Sequence, residues 1–386
     1  MTILSQSSRE PFLKALKEDN QESLQNLLSN YSDINIIIPK KNTGKRTKPE
    51  QSTILDNDPY LVDVAAYYGS EHCLRFLLSS SQSISSISHH DKQLFSIAHF
   101  ATQSGKIQVC KILEDFKFNF LELSRSGTTP LHIAAKNGFV EIFQWIWLNY
   151  PDSIEEIKTF DSEGYTAFHL ASINHHLDIL DFLISFNVDP NIFTSDGRTA
   201  FDIAIINNDD IMIDYFLSHP NIPQIANGKG SYSIHVATYN HRSDILERMV
   251  ELGYDMFVHD KRNHSALHIA AARGDYGICL FLLELGFDVN ERDIVSRTPL
   301  HLAARNGHDA VCELLIDFQA NISPVDNDGY TPMNLAYLKN RKACIELFSD
   351  FHQNNDNIDM EDTHKHKKNK KWTSKLKNVY IDEELL

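Results

Sequence analysis

Apolar residues in this chain fall into short blocks that recur along its length. A ten-residue block, Thr298-Pro-Leu-His-Leu-Ala-Ala-Arg-Asn-Gly307, has near-copies at Thr129-Pro-Leu-His-Ile-Ala-Ala-Lys-Asn-Gly138 and Ser265-Ala-Leu-His-Ile-Ala-Ala-Ala-Arg-Gly274. Its opening hydroxyl can accept a hydrogen bond from an early helical N–H. Proline beside it fits the first helical position, where its missing N–H costs nothing. Glycine at the tenth position suits a left-handed helix end. The block therefore predicts a short helix. Weaker copies begin at Tyr60, Ser96, Thr166, Thr199, Tyr232 and Thr331, and a degenerate first copy at Glu10. Where the tenth residue is not glycine it is Asp19, His175, Asn208, His241 or Asn340. Asn, Asp and His are the side chains most tolerant of positive φ. After each block comes a second apolar pattern with adjacent pairs such as Leu77-Leu78, Leu183-Ile184, Leu282-Leu283 and Leu315-Ile316, which predicts a second helix. One such pair of helices cannot bury its own apolar faces, so stacking on neighbours must supply the core.

The block starts are separated by 50, 36, 33 and 37 residues and then by five steps of 33. The motif Thr-Pro-Leu-His-x-Ala-Ala-x-x-Gly and this period resemble the ankyrin repeat family. The resemblance covers about residues 10 to 350. It implies an all-α repeat solenoid of about ten ankyrin repeats in a curved array, each a hairpin finger and two antiparallel helices. The expected organisation is a degenerate N-terminal capping repeat over 1–38 and a basic loop insertion over 39–58. The repeat array then runs over 59–350, and a disordered basic and acidic tail over 351–386. The Ser-rich stretch 79–90 reads as a loop.

Composition and charge narrow the function. With 42% apolar and 23% charged residues, the chain has ordinary globular composition. No run of about 18 apolar residues exists, which predicts no spanning helix. The N-terminal MTILSQSSREPF has neither basic flank nor apolar core, so the expectation is an intracellular protein without a secretory signal. Formal net charge is −16. Residues 40–48 carry five basic side chains and no acid, and the tail from Asp356 carries seven lysines and seven acids. The body is thus strongly acidic, which disfavours nucleic acid as a partner.

Candidate chemistry is sparse. Six of the nineteen histidines, at 99, 132, 169, 235, 268 and 301, share one signature position and read as bridges between turn backbones of neighbouring repeats. The five cysteines fall on the buried stripe of second helices and form no CxxC, so neither zinc nor redox chemistry is indicated. No phosphate loop, HExxH or nucleophile elbow is present. Asn227-Gly-Lys-Gly230 reads as a finger turn. No enzyme activity, cofactor, metal or small-molecule substrate is expected.

In the family resembled, partners meet the finger tips and the exposed face of first helices. The corresponding positions carry Arg125, Lys136, Arg198, Lys229, Lys261, Arg262, Arg273, Arg297, Arg305 and Lys339, against only Glu163, Asp196 and Asp328. Tyr165, Tyr239 and Tyr330 join them, and tyrosine is enriched at interfaces. The expectation is a monomeric protein–protein interaction module (adaptor, scaffold or inhibitor) that binds an acidic partner segment across the concave face. The alternative source of this charge is the family pattern, which itself favours Arg and Lys at several of these positions. The tail block holding Lys367, Lys368, Lys370 and Lys371 matches a short basic import pattern. The expected location is therefore the cytoplasm, with a nuclear regulatory or chromatin-associated factor as the second reading.

Overall fold

The computed structural model describes residues 2–31, 36–39, 58–80, 93–150, 157–219 and 225–356. The basic loop at 40–48, most of the Ser-rich stretch and the Lys-rich tail block lie outside them. The described residues hold twenty helices in ten antiparallel pairs and one two-stranded sheet. The chain divides into two compact units, Met1–Ala266 and Leu267–Leu386.

The first unit opens with β1 (Thr2–Ile3), α1 (Gln6–Lys17), α2 (Gln21–Leu28) and β2 (Ile36–Ile37). The strands pair in parallel, Thr2 with Ile36 and Ile3 with Ile37. Six further pairs of helices follow: α3 (Leu61–Tyr68) and α4 (Glu71–Ser80), α5 (Ile97–Gln103) and α6 (Ile107–Asp115), α7 (Pro130–Asn137) and α8 (Val140–Asn149). Then come α9 (Ala167–Ile173) and α10 (Leu177–Ser185), α11 (Ala200–Ile206) and α12 (Asp210–Leu217), α13 (Ser233–Tyr239) and α14 (Ser243–Glu251). Each first helix packs on the first helix of the next pair, from α1 on α3 to α11 on α13. Second helices do the same from α2 on α4 to α8 on α10. The second unit takes in most of α15 (Ala266–Arg273), with α16 (Tyr276–Glu284), α17 (Pro299–Asn306), α18 (Asp309–Asp317), α19 (Pro332–Leu338) and α20 (Lys342–Asp356). There α17 packs on α19, and α16 and α20 flank α18.

The core runs along the stack rather than into one centre. Phe12, Phe100, Phe143, Phe168, Phe201 and Phe216 are fully buried in five of the seven pairs of the first unit, as is Phe348 in the second. Each contributes about 2–3 kcal/mol of transfer free energy. The alanine pairs Ala65–Ala66, Ala134–Ala135 and Ala303–Ala304 are wholly buried, which fits the close approach of adjacent first helices. All five cysteines are buried free thiols.

Three boundaries differ from expectation. The first helix starts at Gln6, capped by the Ser5 side chain accepting from Ser8 N–H at 3.2 Å, rather than at Glu10. Pro11 therefore lies inside the helix instead of at its start. Ser79 and Ser80 complete α4 rather than open a loop. The last helix runs to Asp356, six residues beyond the boundary set at 350. Its buried Cys344 and Phe348 lie where the helix packs on α18 and α19.

Every non-glycine substitute at the tenth position is left-handed: Asp19 at φ 48°, His175 at 59°, Asn208 at 54°, His241 at 59° and Asn340 at 55°. What decides between glycine and a side chain is the next repeat. Where glycine stands at 138, the His176 ring of the following repeat lies where a Cβ would be, with its Nδ1 at 2.5 Å. Where a side chain stands, it reaches across itself. Asp19 accepts from the backbone N–H groups of His72 and Cys73 at 3.1 and 2.9 Å, and His175 meets Asp209 at 2.7 Å.

Candidate protein-binding surface

Fingers are built by one local device. The N–H of Asp161 donates to the Tyr165 carbonyl at 2.9 Å, while the Tyr165 N–H donates back to Asp161 Oδ1 at 2.9 Å. Thr194 and Arg198, Asn227 and Ser231, and Asp260 and His264 repeat this closure in the first unit. Asp293 with Arg297 and Asp326 with Tyr330 repeat it in the second. Successive fingers are tied by backbone bonds: Ser195 N–H to the Gly164 carbonyl at 2.9 Å, Gly228 N–H to Gly197 at 2.8 Å, and Lys261 N–H to Gly230 at 3.1 Å. Asn227-Gly-Lys-Gly230 is thus a finger turn.

The signature histidines lock fingers to helices. His132 Nδ1 accepts from the Thr129 N–H at 3.2 Å, and its Nε2–H donates to the Thr159 carbonyl at 3.1 Å. His99, His268 and His301 bridge to the carbonyls of Thr128, Arg297 and Tyr330 at 2.9, 3.2 and 3.1 Å. In His169 and His235 no partner stands within hydrogen-bonding geometry of Nε2, so the bridge forms in four of the six. Burial pushes His132 and His301 below their ordinary value, and His169 and His235 down to about 4. Burial thus holds these rings in the neutral form. At the same position Asp202 is buried and its pKa raised by that burial, although Asn227 Nδ2 donates to it at 2.8 Å.

Burial pushes the Cys73, Cys110 and Cys279 thiols up to about 12, so they are not thiolates at neutral pH. Among the described residues no cluster of His, Cys, Asp and Glu is arranged to hold a metal, and no helix is long and apolar enough to cross a membrane.

The predicted binding residues fall into two kinds. Several are held internally. Arg198 Nε pairs with Asp196 at 3.1 Å, and Arg297 Nε with the buried Asp326 at 3.2 Å and its Nη2 with Asp328 at 3.9 Å. Burial would raise the Asp196 carboxyl, but Thr194, Arg198 and Lys229 outweigh it and hold the group below its ordinary value. Arg198 and Arg297 thus each neutralise an acid of their own or the next finger. The Arg262 N–H donates to Asp260 at 2.8 Å, closing its turn, and the Arg305 carbonyl accepts from Arg341 Nε at 3.1 Å. Others are presented outward. In the first unit Arg125 and Lys261 are exposed at finger tips, Lys136 is exposed in the last turn of α7, and Lys229 is half-buried at its tip. Tyr165 and Tyr239 are half-buried on the same fingers and first helices. In the second unit Arg273 and Lys339 are exposed at first-helix ends, with Tyr330 half-buried. Acids on second helices of the first unit are paired as well. Arg242 bridges Asp210 and Asp244 at 2.7 Å each, and Arg248 pairs with Asp214.

Stacked helix pairs joined by hydrogen-bonded fingers define a helical repeat protein. A model described as ankyrin repeats (3 copies) matches residues 62–155, 208–293 and 285–362, and one described as ankyrin repeats (many copies) matches 155–204. The chain belongs to the ankyrin repeat family. It is also similar to the human transient receptor potential cation channel subfamily A member 1, 32% identical over 108 residues. That match covers 27% of this chain and spans only 9% of the channel's length. Ankyrin repeats generally mediate protein–protein interaction.

Proposed function

We propose that this protein is a non-enzymatic adaptor, scaffold or inhibitor that binds an acidic segment of a protein partner along its fingers and first-helix ends. The observation that carries the reading is the contrast just described. On a chain with 52 acidic and 36 basic side chains, the outward finger and first-helix positions of the first unit hold Arg125, Lys136, Lys229 and Lys261. The fingers bearing them are fixed by reciprocal and finger-to-finger hydrogen bonds. Binding an extended partner then costs little ordering of the receptor, while the charge sets encounter rate and rejects basic competitors.

The test is an affinity capture from native lysate, comparing wild type with a Lys136→Glu, Lys229→Glu, Lys261→Glu variant of equal helicity. These lysines are chosen over Arg297, whose reversal would strand the buried Asp326. A partner held by wild type and lost from the variant supports the reading. Identical partners for both would refute it. The nuclear alternative rests on Lys367, Lys368, Lys370 and Lys371, and it requires that deletion of residues 364–377 abolish nuclear accumulation of the protein in cells.

A further inference from the structure

The ninth position of the repeated block carries an asparagine in four consecutive repeats of the first unit: Asn137, Asn174, Asn207 and Asn240. Each stands at the C-terminal end of a first helix, and those helices, α7, α9, α11 and α13, pack one on the next. The four amides therefore form a column across the stack. Asn137, Asn174 and Asn207 are exposed and Asn240 is half-buried. In three of them Nδ2 donates to the carbonyl four residues back: Asn137 to Ile133 at 2.8 Å, Asn174 to Leu170 at 2.7 Å and Asn240 to Val236 at 2.8 Å. That bond fixes which end of each amide is nitrogen. It leaves Oδ1 and the second N–H unused. Asn207 makes no side-chain hydrogen bond within the described residues, so its whole amide is available.

We infer that this column reads the main chain of an extended peptide. A side-chain amide offers one acceptor and N–H donors, the same pair of groups that a peptide unit presents. Packed helices lie about 8–10 Å apart, and an extended chain rises about 3.3 Å per residue. One asparagine thus meets about every third residue, and four of them span about nine residues of ligand. Recognition of this kind is uncharged and tolerant of sequence. It supplies register and a large share of the affinity, and leaves selection to the flanking Lys136 and Tyr239 and to the basic finger tips. The inference rests on the proposed use of the finger and first-helix face for binding, and it adds what chemistry the centre of that face recognises.

The test uses a displayed library of random dodecapeptides selected on the full chain. Selected peptides are then titrated against wild type and against the Asn137→Ala, Asn174→Ala, Asn207→Ala variant. Alanine is the best helix former, so these substitutions keep the helices, which circular dichroism verifies. Loss of three two-sided amides is expected to weaken binding at least tenfold. N-methylating alternate peptide amides should weaken binding to wild type and leave the residual binding of the variant unchanged. Recovery of no peptide, or a loss below threefold in the variant, overturns the inference. Its failure separates from that of the binding face. Peptides lost from the Lys136→Glu, Lys229→Glu, Lys261→Glu variant but held normally by the alanine variant leave the face standing and remove the amide column. Peptides held normally by both remove the face as well.

Discussion

Stability should fall on mild acidification, well above the range where carboxylates titrate. His169 and His235 are buried in the first unit, and burial, only partly offset by nearby carbonyls and Asp161, Asp196 or Asp260, lowers each from 6.5 to about 4. A histidine whose folded pKa is depressed binds fewer protons when folded than when unfolded. Stability therefore rises with pH between the two values, is fully present above 6.5, and is lost as pH falls from 6.5 towards 4. Near pH 5 each site forfeits about 2 kcal/mol, so the pair forfeits about 4 kcal/mol. His132 and His301 shift in the same direction and add to the loss. Asp260, held down to about 2 mainly by His264 and backbone N–H groups against the opposing effect of burial, gives up its stability only below its ordinary value of 3.8. It does not contribute near pH 5. The assay is urea unfolding followed by circular dichroism at neutral pH and near pH 5, for wild type and for a His169→Asn, His235→Asn variant. Asparagine is the chosen replacement because the last repeat already uses it. Asn334 Oδ1 accepts from the Thr331 N–H at 3.0 Å, and the Asn334 N–H donates to Thr331 Oγ1 at 3.2 Å. The variant should lose about 4 kcal/mol less than wild type over that interval. Equal acid losses in both proteins would refute the argument.

Gly228→Ala should lower stability by about 1–3 kcal/mol in thermal unfolding, because its Cβ would stand 2.8 Å from the Gly197 Cα, a backbone atom that cannot swing away. Gly277→Ala, inside α16 with its nearest neighbour at 3.7 Å, should instead stabilise by about 0.5–1 kcal/mol in the same assay. Arg297→Ala should cost about 2–3 kcal/mol in urea unfolding, since it strands the buried Asp326 carboxylate; a neutral result would mean that backbone N–H groups alone satisfy that acid. Thr129→Ala removes an acceptor for the His132 N–H at 3.3 Å and should cost about 1 kcal/mol of stability.

Much of this architecture is legible in the residues because each repeat encodes its own ends. The start positions Tyr60, Ser96, Thr129, Thr166, Thr199, Tyr232, Thr298 and Thr331 are all N-caps of first helices. The left-handed residues at the tenth position were equally readable, since few side chains tolerate that conformation. The first repeat hides its true start for the opposite reason. Pro11 mimics the proline of the motif, yet the cap that forms is Ser5, whose hydroxyl reaches Ser8 N–H five residues ahead of where the motif would begin. The charged surface was legible only in outline. Sequence position puts Arg198 and Arg297 on the fingers, but only the fold brings Asp196 and Asp326 against them. The asparagines of the column are visible at the ninth position of four consecutive blocks, but only the packing of α7, α9, α11 and α13 brings them into one row.

The same bonds that make the repeats regular also favour the proposed binding of an extended ligand. A finger closed by Asp161 and Tyr165, held to its neighbour through Ser195 and Gly164, and reached from the preceding repeat by the His132 ring near its base at Thr159, has few independent ways to move. Its polar groups are consumed internally, so what it offers outward is the side chains at its tip and at the end of the adjoining first helix. Those side chains differ from repeat to repeat while their backbone does not. Specificity can therefore change at Lys136, Lys229 or Lys261 without touching the histidine bridges, the capping hydroxyls or the alanine contacts that hold the stack together. Replacing His132 should have the converse effect, loosening the finger it bridges and weakening binding through lost order rather than lost contact.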